Sequence, residues 1–96
     1  MAKVVVTTTA LAELESLIIT HSLPPDTKER FQRAVRDLGR FPAMGTMLER
    51  DWNGYRFVLG PWRWMIIVYR YEQADGIVGI VTVQDGRSRR SATSTR

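Results

Sequence analysis

The sequence predicts an α+β domain in which an antiparallel sheet is covered on one face by a two-helix hairpin. Three observations predict it. Two stretches with helical apolar spacing stand back to back, separated by Pro24-Pro25. Three strand-like runs follow each other after residue 54, divided by gaps of hairpin length. A short β-branched run, Lys3-Val4-Val5-Val6, opens the chain. The order is β-α-α-β-β-β, and an antiparallel sheet with helices on one face is a stable two-layer solution.

Each element has its own local reason. After the opening strand, Thr7-Thr8-Thr9 offers hydroxyl N-caps, with Glu13 placed for a capping box. From Ala10 to His21, Leu11, Leu14, Leu17 and Ile18 recur at helical spacing. Ser22-Leu23-Pro24-Pro25 stops that helix, and Pro25-Asp26 suits the start of another. The second helix, Asp26 to Leu38, aligns Phe31, Val35 and Leu38 in one stripe. Gly39 is placed as its C-cap, and Pro42 forbids continuation. Residues 41–54 form a loop ending in the turn pair Asn53-Gly54. Strands are expected at Tyr55–Leu59, Trp62–Tyr71 and Ile77–Gln84, making a meander.

The long strand is apolar on both faces. Trp62, Trp64, Ile66 and Val68 alternate with Met65, Ile67, Tyr69 and Tyr71. A helical hairpin covers only one face. The other is either a partner surface or the interior of a twisted sheet.

With 96 residues the chain is one domain. A chain of this size buries roughly 60–65% of its unfolded surface, enough for one core but not for a large enclosed cavity. Residues 1–90 are expected to form the domain and 91–96 a flexible tail rich in Ser, Thr and Arg. The absence of cysteine removes disulfides and thiolate chemistry and fits a reducing cytosol, hence an expected cytoplasmic location. The opening apolar run is too short for a signal peptide, and nothing approaches the ~18 apolar residues of a membrane span. No glycine-rich phosphate loop and no His/Asp/Glu cluster is evident, so neither cofactor nor metal is expected.

Charge is unevenly spread. From Tyr55 onward there are seven arginines, no lysine and three acids. Arg offers a planar, bidentate fork suited to phosphate, where Lys is a point charge. The stretch VTVQDGRSRR crowds Arg87, Arg89 and Arg90 just past the last strand. A polyanionic partner would explain that bias, and solubility of a chain end would explain Arg89 and Arg90 equally well. Arg70 is expected to pair with Glu72 or face solvent. Arg63 lies between Trp62 and Trp64, where an inward cation needs a partner or an anionic ligand. Trp52, Trp62 and Trp64 are of a kind that stacks on bases, although core packing is expected of at least one. His21, the only histidine, stands at the end of the first helix, where an imidazolium suits the helix dipole. A structural role is expected there, away from the arginines.

Three stretches carry a family resemblance. They are VVVTTTALAELESL, RFPAMGTMLERDWNGYRFVLGPWRWMIIVYRY and IVGIVTVQDGRSRR, with Pro42, Gly45, Tyr55-Arg56, Gly60 and Arg63 at characteristic places. On these the chain resembles the RelE/ParE superfamily of toxins from bacterial type II toxin–antitoxin modules. The resemblance implies one of two activities: RelE-like cleavage of mRNA in the ribosomal A site, or ParE-like inhibition of DNA gyrase without cleavage. It implies a cognate antitoxin as partner in either case.

Metal-free RNA cleavage requires deprotonation of a ribose 2′-hydroxyl, stabilisation of a charged phosphorane-like transition state and protonation of the leaving oxygen. The resemblance implies that Arg63 and Arg87 hold the phosphate and that Arg56 assists; from their own chemistry, Arg89, Arg90, Trp62 and Trp64 are expected to contact RNA. Two departures stand out. Val58 takes a second basic position, and Ser91, Ala92 and Thr93 occupy the segment where RelE-like toxins carry a tyrosine. Arginine is also a poor general base. The preferred expectation is the ribosome-dependent endonuclease, which would arrest growth by blocking translation. The gyrase inhibitor is the alternative, and a binding module using the exposed sheet face is a third reading.

Overall fold

The computed structural model describes residues 1–88 and 90–94. Its elements are β1 (Lys3–Val6), α1 (Thr8–Thr20), α2 (Thr27–Arg36), β2 (Thr46–Met47), β3 (Arg56–Leu59), β4 (Met65–Glu72) and β5 (Ile77–Asp85). The strands form one sheet in the order β1-β5-β4-β3-β2. β3, β4 and β5 make the expected antiparallel meander. β1 adds to its edge in parallel, Lys3 opposite Ile77 and Val6 opposite Ile80. The sheet is therefore mixed, with β1 as its single parallel member.

The helical hairpin covers one face. Ala10, Leu14, Phe31, Val35 and Leu38 pack on Met65, Ile67, Tyr69, Val78, Ile80 and Val83 in one cluster. The α2 stripe is buried as its spacing predicts, whereas on α1 Ala10 takes the inward place and Leu11 is exposed. The N-cap of α1 is Thr7, whose hydroxyl oxygen accepts from the Ala10 amide at 3.2 Å. No capping box forms, because the third residue after Thr7 is Ala10; Glu13 lies further along α1 and is used elsewhere. Its Oε1 accepts from the Thr82 hydroxyl at 2.7 Å and from the Val83 amide at 3.2 Å, next to a bulge in β5. A bulge interrupts the ladder and leaves backbone groups to be satisfied from outside it.

Three boundaries differ from the sequence reading. α2 ends at Arg36 and tightens into a 3₁₀ turn over Asp37–Gly39. Gly39 is not a left-handed cap: its carbonyl accepts from Ala2, and an added Cβ would stand 3.0 Å from the Ala2 carbonyl oxygen. Close approach of β1 explains the glycine. The loop after it contains β2, which pairs with β3 at the sheet edge.

The long strand begins at Met65 rather than Trp62, because Pro61 has no amide for the ladder and a turn closes there from Trp62 O to Met65 N at 3.0 Å. Trp62 and Trp64 consequently leave the alternation and pack toward the helix-covered cluster. The second face carries Ile66, Val68 and Leu48, covered by Trp52, Tyr55, Phe57 and Ala92. That face is a small second core. The turn over it needs a glycine: Tyr55 N donates to Trp52 O at 3.0 Å, Asn53 has φ −57 and ψ 132, and Gly54 has φ +94. These are type II values, which demand positive φ at the third residue. Residues 91–94 run beside this core, with Ser91 buried and the Ala92 amide donating to Gln84 Oε1 at 2.8 Å.

Candidate functional site

At the end of the sheet where β4 starts and β5 stops, side chains from three segments converge. The first segment is the end of α1. Leu23 N donates to Ile18 O at 2.9 Å and Ser22 N to Ile19 O at 3.3 Å, with Ser22 at φ 49. This is a Schellman termination with serine in the left-handed position. It ends the helix on His21 and turns the imidazole toward the sheet.

The second segment is the exit of β5. Asp85 accepts from His21 Nε2 at 3.1 Å on Oδ2. Arg87 forks onto the same carboxylate, Nε to Oδ1 at 2.9 Å and Nη2 to Oδ2 at 2.8 Å, and its amide also donates to Oδ1. Hydrogen bonding from Arg87, aided by His21 and opposed by burial, holds the Asp85 carboxyl far below the usual carboxylate range. The same bond pushes the Arg87 guanidinium up. Asp85 is thus a fixed anion between an imidazole and a guanidinium.

The third segment is the turn from Gly60 to Trp64, tied to the β5 exit by Gly86 N donating to Trp64 O at 2.7 Å. Trp64 stacks on His21 with ring centroids 4.5 Å apart and planes 16° from parallel. Trp62 stacks on Trp64 at 6.4 Å. Arg87 lies 5.1 Å from the Trp64 ring centroid, and Arg30 5.7 Å from that of Trp62. Guanidinium over a large ring is a favourable cation–π arrangement. Three aromatic faces and two guanidiniums therefore form one continuous ladder.

The structure brings Arg87, Trp62 and Trp64 together, with Arg63 in the same turn. Arg63 is exposed and makes no hydrogen bond or ion pair among the described residues. Arg90 is exposed, its amide donating to Ser88 Oγ. Arg89 lies outside the described residues. Arg56 stands apart. It pairs with Tyr69, whereas the β4 residue at the site end is Met65, opposite Asp85. At about 3.3 Å per residue that separation is roughly 13 Å. Its Nη1 donates to Ala43 O at 3.2 Å and Gly45 O at 2.9 Å, so Arg56 fastens the loop before β2. Val58 packs against the helix-covered cluster and offers nothing to a ligand. Arg70 pairs with Glu72 at 2.8 Å as expected.

His21 is the member the sequence reading placed elsewhere. α1 starts where the Thr7 hydroxyl donates to Ile80 O at 2.8 Å, and it then runs onward in the direction of β5. Its 13 residues at about 1.5 Å each advance roughly as far as the five strand residues from Ile80 to Asp85. The two elements reach the same end of the sheet together.

A platform of stacked rings edged by guanidiniums is suited to bases and phosphates. Among the described residues no cluster of His, Cys, Asp or Glu could hold a metal ion, and no helix is long and apolar enough to cross a membrane.

Fold and site define a small α+β domain with a ladder of rings and guanidiniums at one end of its sheet. A family model described as the ParE toxin of the type II toxin–antitoxin system parDE matches residues 4–90, and the chain belongs to that family, within the RelE/ParE superfamily. Among solved structures, the RelBE2 toxin–antitoxin complex of Mycobacterium tuberculosis is similar, with 28% identity and a TM-score of 0.64, over 88% of this chain and 96% of that one. No curated protein sequence matches.

Proposed function

We propose that this toxin is a RelE-like endoribonuclease that cuts mRNA on the ribosome and arrests translation in the cytoplasm. The observation that carries the reading is the ladder itself: His21, Trp64 and Trp62 stacked in series, with Arg87 over Trp64 and Arg30 over Trp62. Splayed single-stranded bases stack on such faces, and arginines hold the phosphates between them. Arg63 and Arg87 grip the scissile phosphate and carry the charge of its transition state. Trp62 and Trp64 take the flanking bases. Arg90 and Arg89 draw the polyanion in through a salt-sensitive term. Arg56 supports the fold of the β2 loop rather than the reaction. The family match and the likeness to the RelBE2 toxin–antitoxin complex support the coarser part of the reading, a toxin of a type II module. The protein partner is an antitoxin, whose acidic residues would cover the arginines and speed association.

A second reading, the gyrase inhibitor that cuts nothing, is favoured by Val58 facing the core and by Arg56 being spent on backbone carbonyls. Two assays separate them. Purified protein is added to a reconstituted translation reaction and, separately, to a gyrase supercoiling reaction. The endonuclease reading predicts arrested translation with supercoiling intact. Intact translation with blocked supercoiling would replace it.

A further inference from the structure

His21 is placed and wired for more than a helix cap. Its Nε2 faces the Asp85 carboxylate at 3.1 Å, and its Nδ1 faces the Thr20 hydroxyl at 2.9 Å. Asp85 is already a fixed anion, so the neutral imidazole carries its proton on Nε2, toward that carboxylate, and Nδ1 is left as an acceptor. The Thr20 hydroxyl sits against it, with its one proton able to turn to this nitrogen or to Leu17 O at 3.5 Å. Thr20 is exposed at the last turn of α1, so a substrate hydroxyl can take the same position by displacing it. The ring is also held in plane by stacking on Trp64, the residue over which Arg87 lies. An alcohol, an imidazole, a carboxylate and a guanidinium thus stand in sequence at the proposed phosphate site.

We infer that His21 is the proton acceptor for the attacking ribose 2′-hydroxyl, with Asp85 and Thr20 as positioning residues. The inference rests on the ribonuclease reading. Nδ1 takes the proton from the 2′-hydroxyl as its oxygen bonds to phosphorus. The bond from phosphorus to O5′ breaks, O5′ takes a proton from solvent water, and the imidazolium returns its own to solvent. The products are a 2′,3′-cyclic phosphate and a 5′-hydroxyl end. Asp85 stabilises the imidazolium formed on the way, the role a carboxylate plays behind a catalytic histidine. The charged group in contact with His21 is Asp85, and behind it on the same carboxylate stands Arg87, both from the exit of β5. The last turn of α1 contributes no basic residue.

The test is a single-turnover cleavage of mRNA on programmed ribosomes, run from pH 5.5 to 8.5 with the wild type, His21→Gln and His21→Phe. The phenylalanine keeps a ring on Trp64, and circular dichroism reports the fold of both variants. The expected result is a loss of about 100-fold or more in rate for both. The wild-type rate should rise with pH, and that limb should be absent from the variants. Variants that keep the rate overturn the inference. So do variants that lose rate but keep the limb, which would make His21 merely structural. A wild type that cuts nothing overturns both the inference and the ribonuclease reading.

Discussion

Asp85 holds Arg87 through two parallel contacts, 2.9 Å from Nε to Oδ1 and 2.8 Å from Nη2 to Oδ2. A planar fork on a carboxylate fixes the guanidinium in one orientation, over the Trp64 ring. The arginine that grips phosphate in the proposed reaction is therefore prearranged, and half neutralised, by its own strand end.

Because Arg87 and His21 hold the Asp85 carboxyl well below its ordinary value, Asp85 links stability to pH. The unfolded chain binds a proton there at a higher pH than the folded one does. The contribution is therefore complete above the ordinary carboxylate value of about 3.9 and is lost as pH falls through the folded value. Urea midpoints of wild type and Asp85→Asn should differ most near neutrality and converge as the solution is taken from pH 4 toward pH 2.

Tyr69 is fully buried under the loop before β2. Its hydroxyl donates to Pro42 O at 2.7 Å and accepts from Gly45 N at 2.9 Å. Tyr69→Phe leaves both backbone groups unpaired and should cost about 1–3 kcal/mol in urea unfolding. Burial pushes the phenol up, against the Gly45 and Arg56 contributions. The folded chain then keeps its proton longer than the unfolded one. Wild-type stability should fall as pH rises above about 10, a limb that Tyr69→Phe lacks.

A Cβ at Gly45 would stand 2.6 Å from the Tyr69 hydroxyl oxygen and 2.8 Å from the Phe57 carbonyl oxygen. The second neighbour is backbone and cannot turn aside. Gly45→Ala should cost about 1–3 kcal/mol by overpacking, read as a lower urea midpoint with an unchanged slope.

Ser22 is held at φ 49 to end α1. A left-handed conformation costs a non-glycine residue roughly 1–2 kcal/mol, so Ser22→Gly should raise stability by about 0.5–1 kcal/mol after the entropy of glycine is counted. The stack of His21 on Trp64 should survive, seen as unchanged tryptophan fluorescence.

The elements were legible because each has a local signal. Hydroxyls precede α1, Pro24-Pro25 parts the helices, and three apolar runs make the meander. What stayed hidden depends on where one element meets another. Glu13 reads as part of the helix start in one dimension, but its carboxylate goes to Thr82 and Val83 beside the β5 bulge. Trp62 and Trp64 obey strand alternation on paper, yet Pro61 forces a turn that lifts both rings out of the ladder and into the site. His21 has no motif around it. Its meaning comes from the direction in which α1 runs along β5, which no spacing in the chain encodes. Arg56 is the reverse case, a basic residue at a suggestive position whose donors the fold spends on Ala43 and Gly45.

The most direct test of the ribonuclease account is mapping of mRNA 5′ ends in a purified translation system, with wild type and Arg87→Ala side by side. The account predicts new ends with wild type, only when ribosomes translate, and a loss of at least about 100-fold for Arg87→Ala. Intact mRNA under wild type, or cutting undiminished by Arg87→Ala, would contradict it.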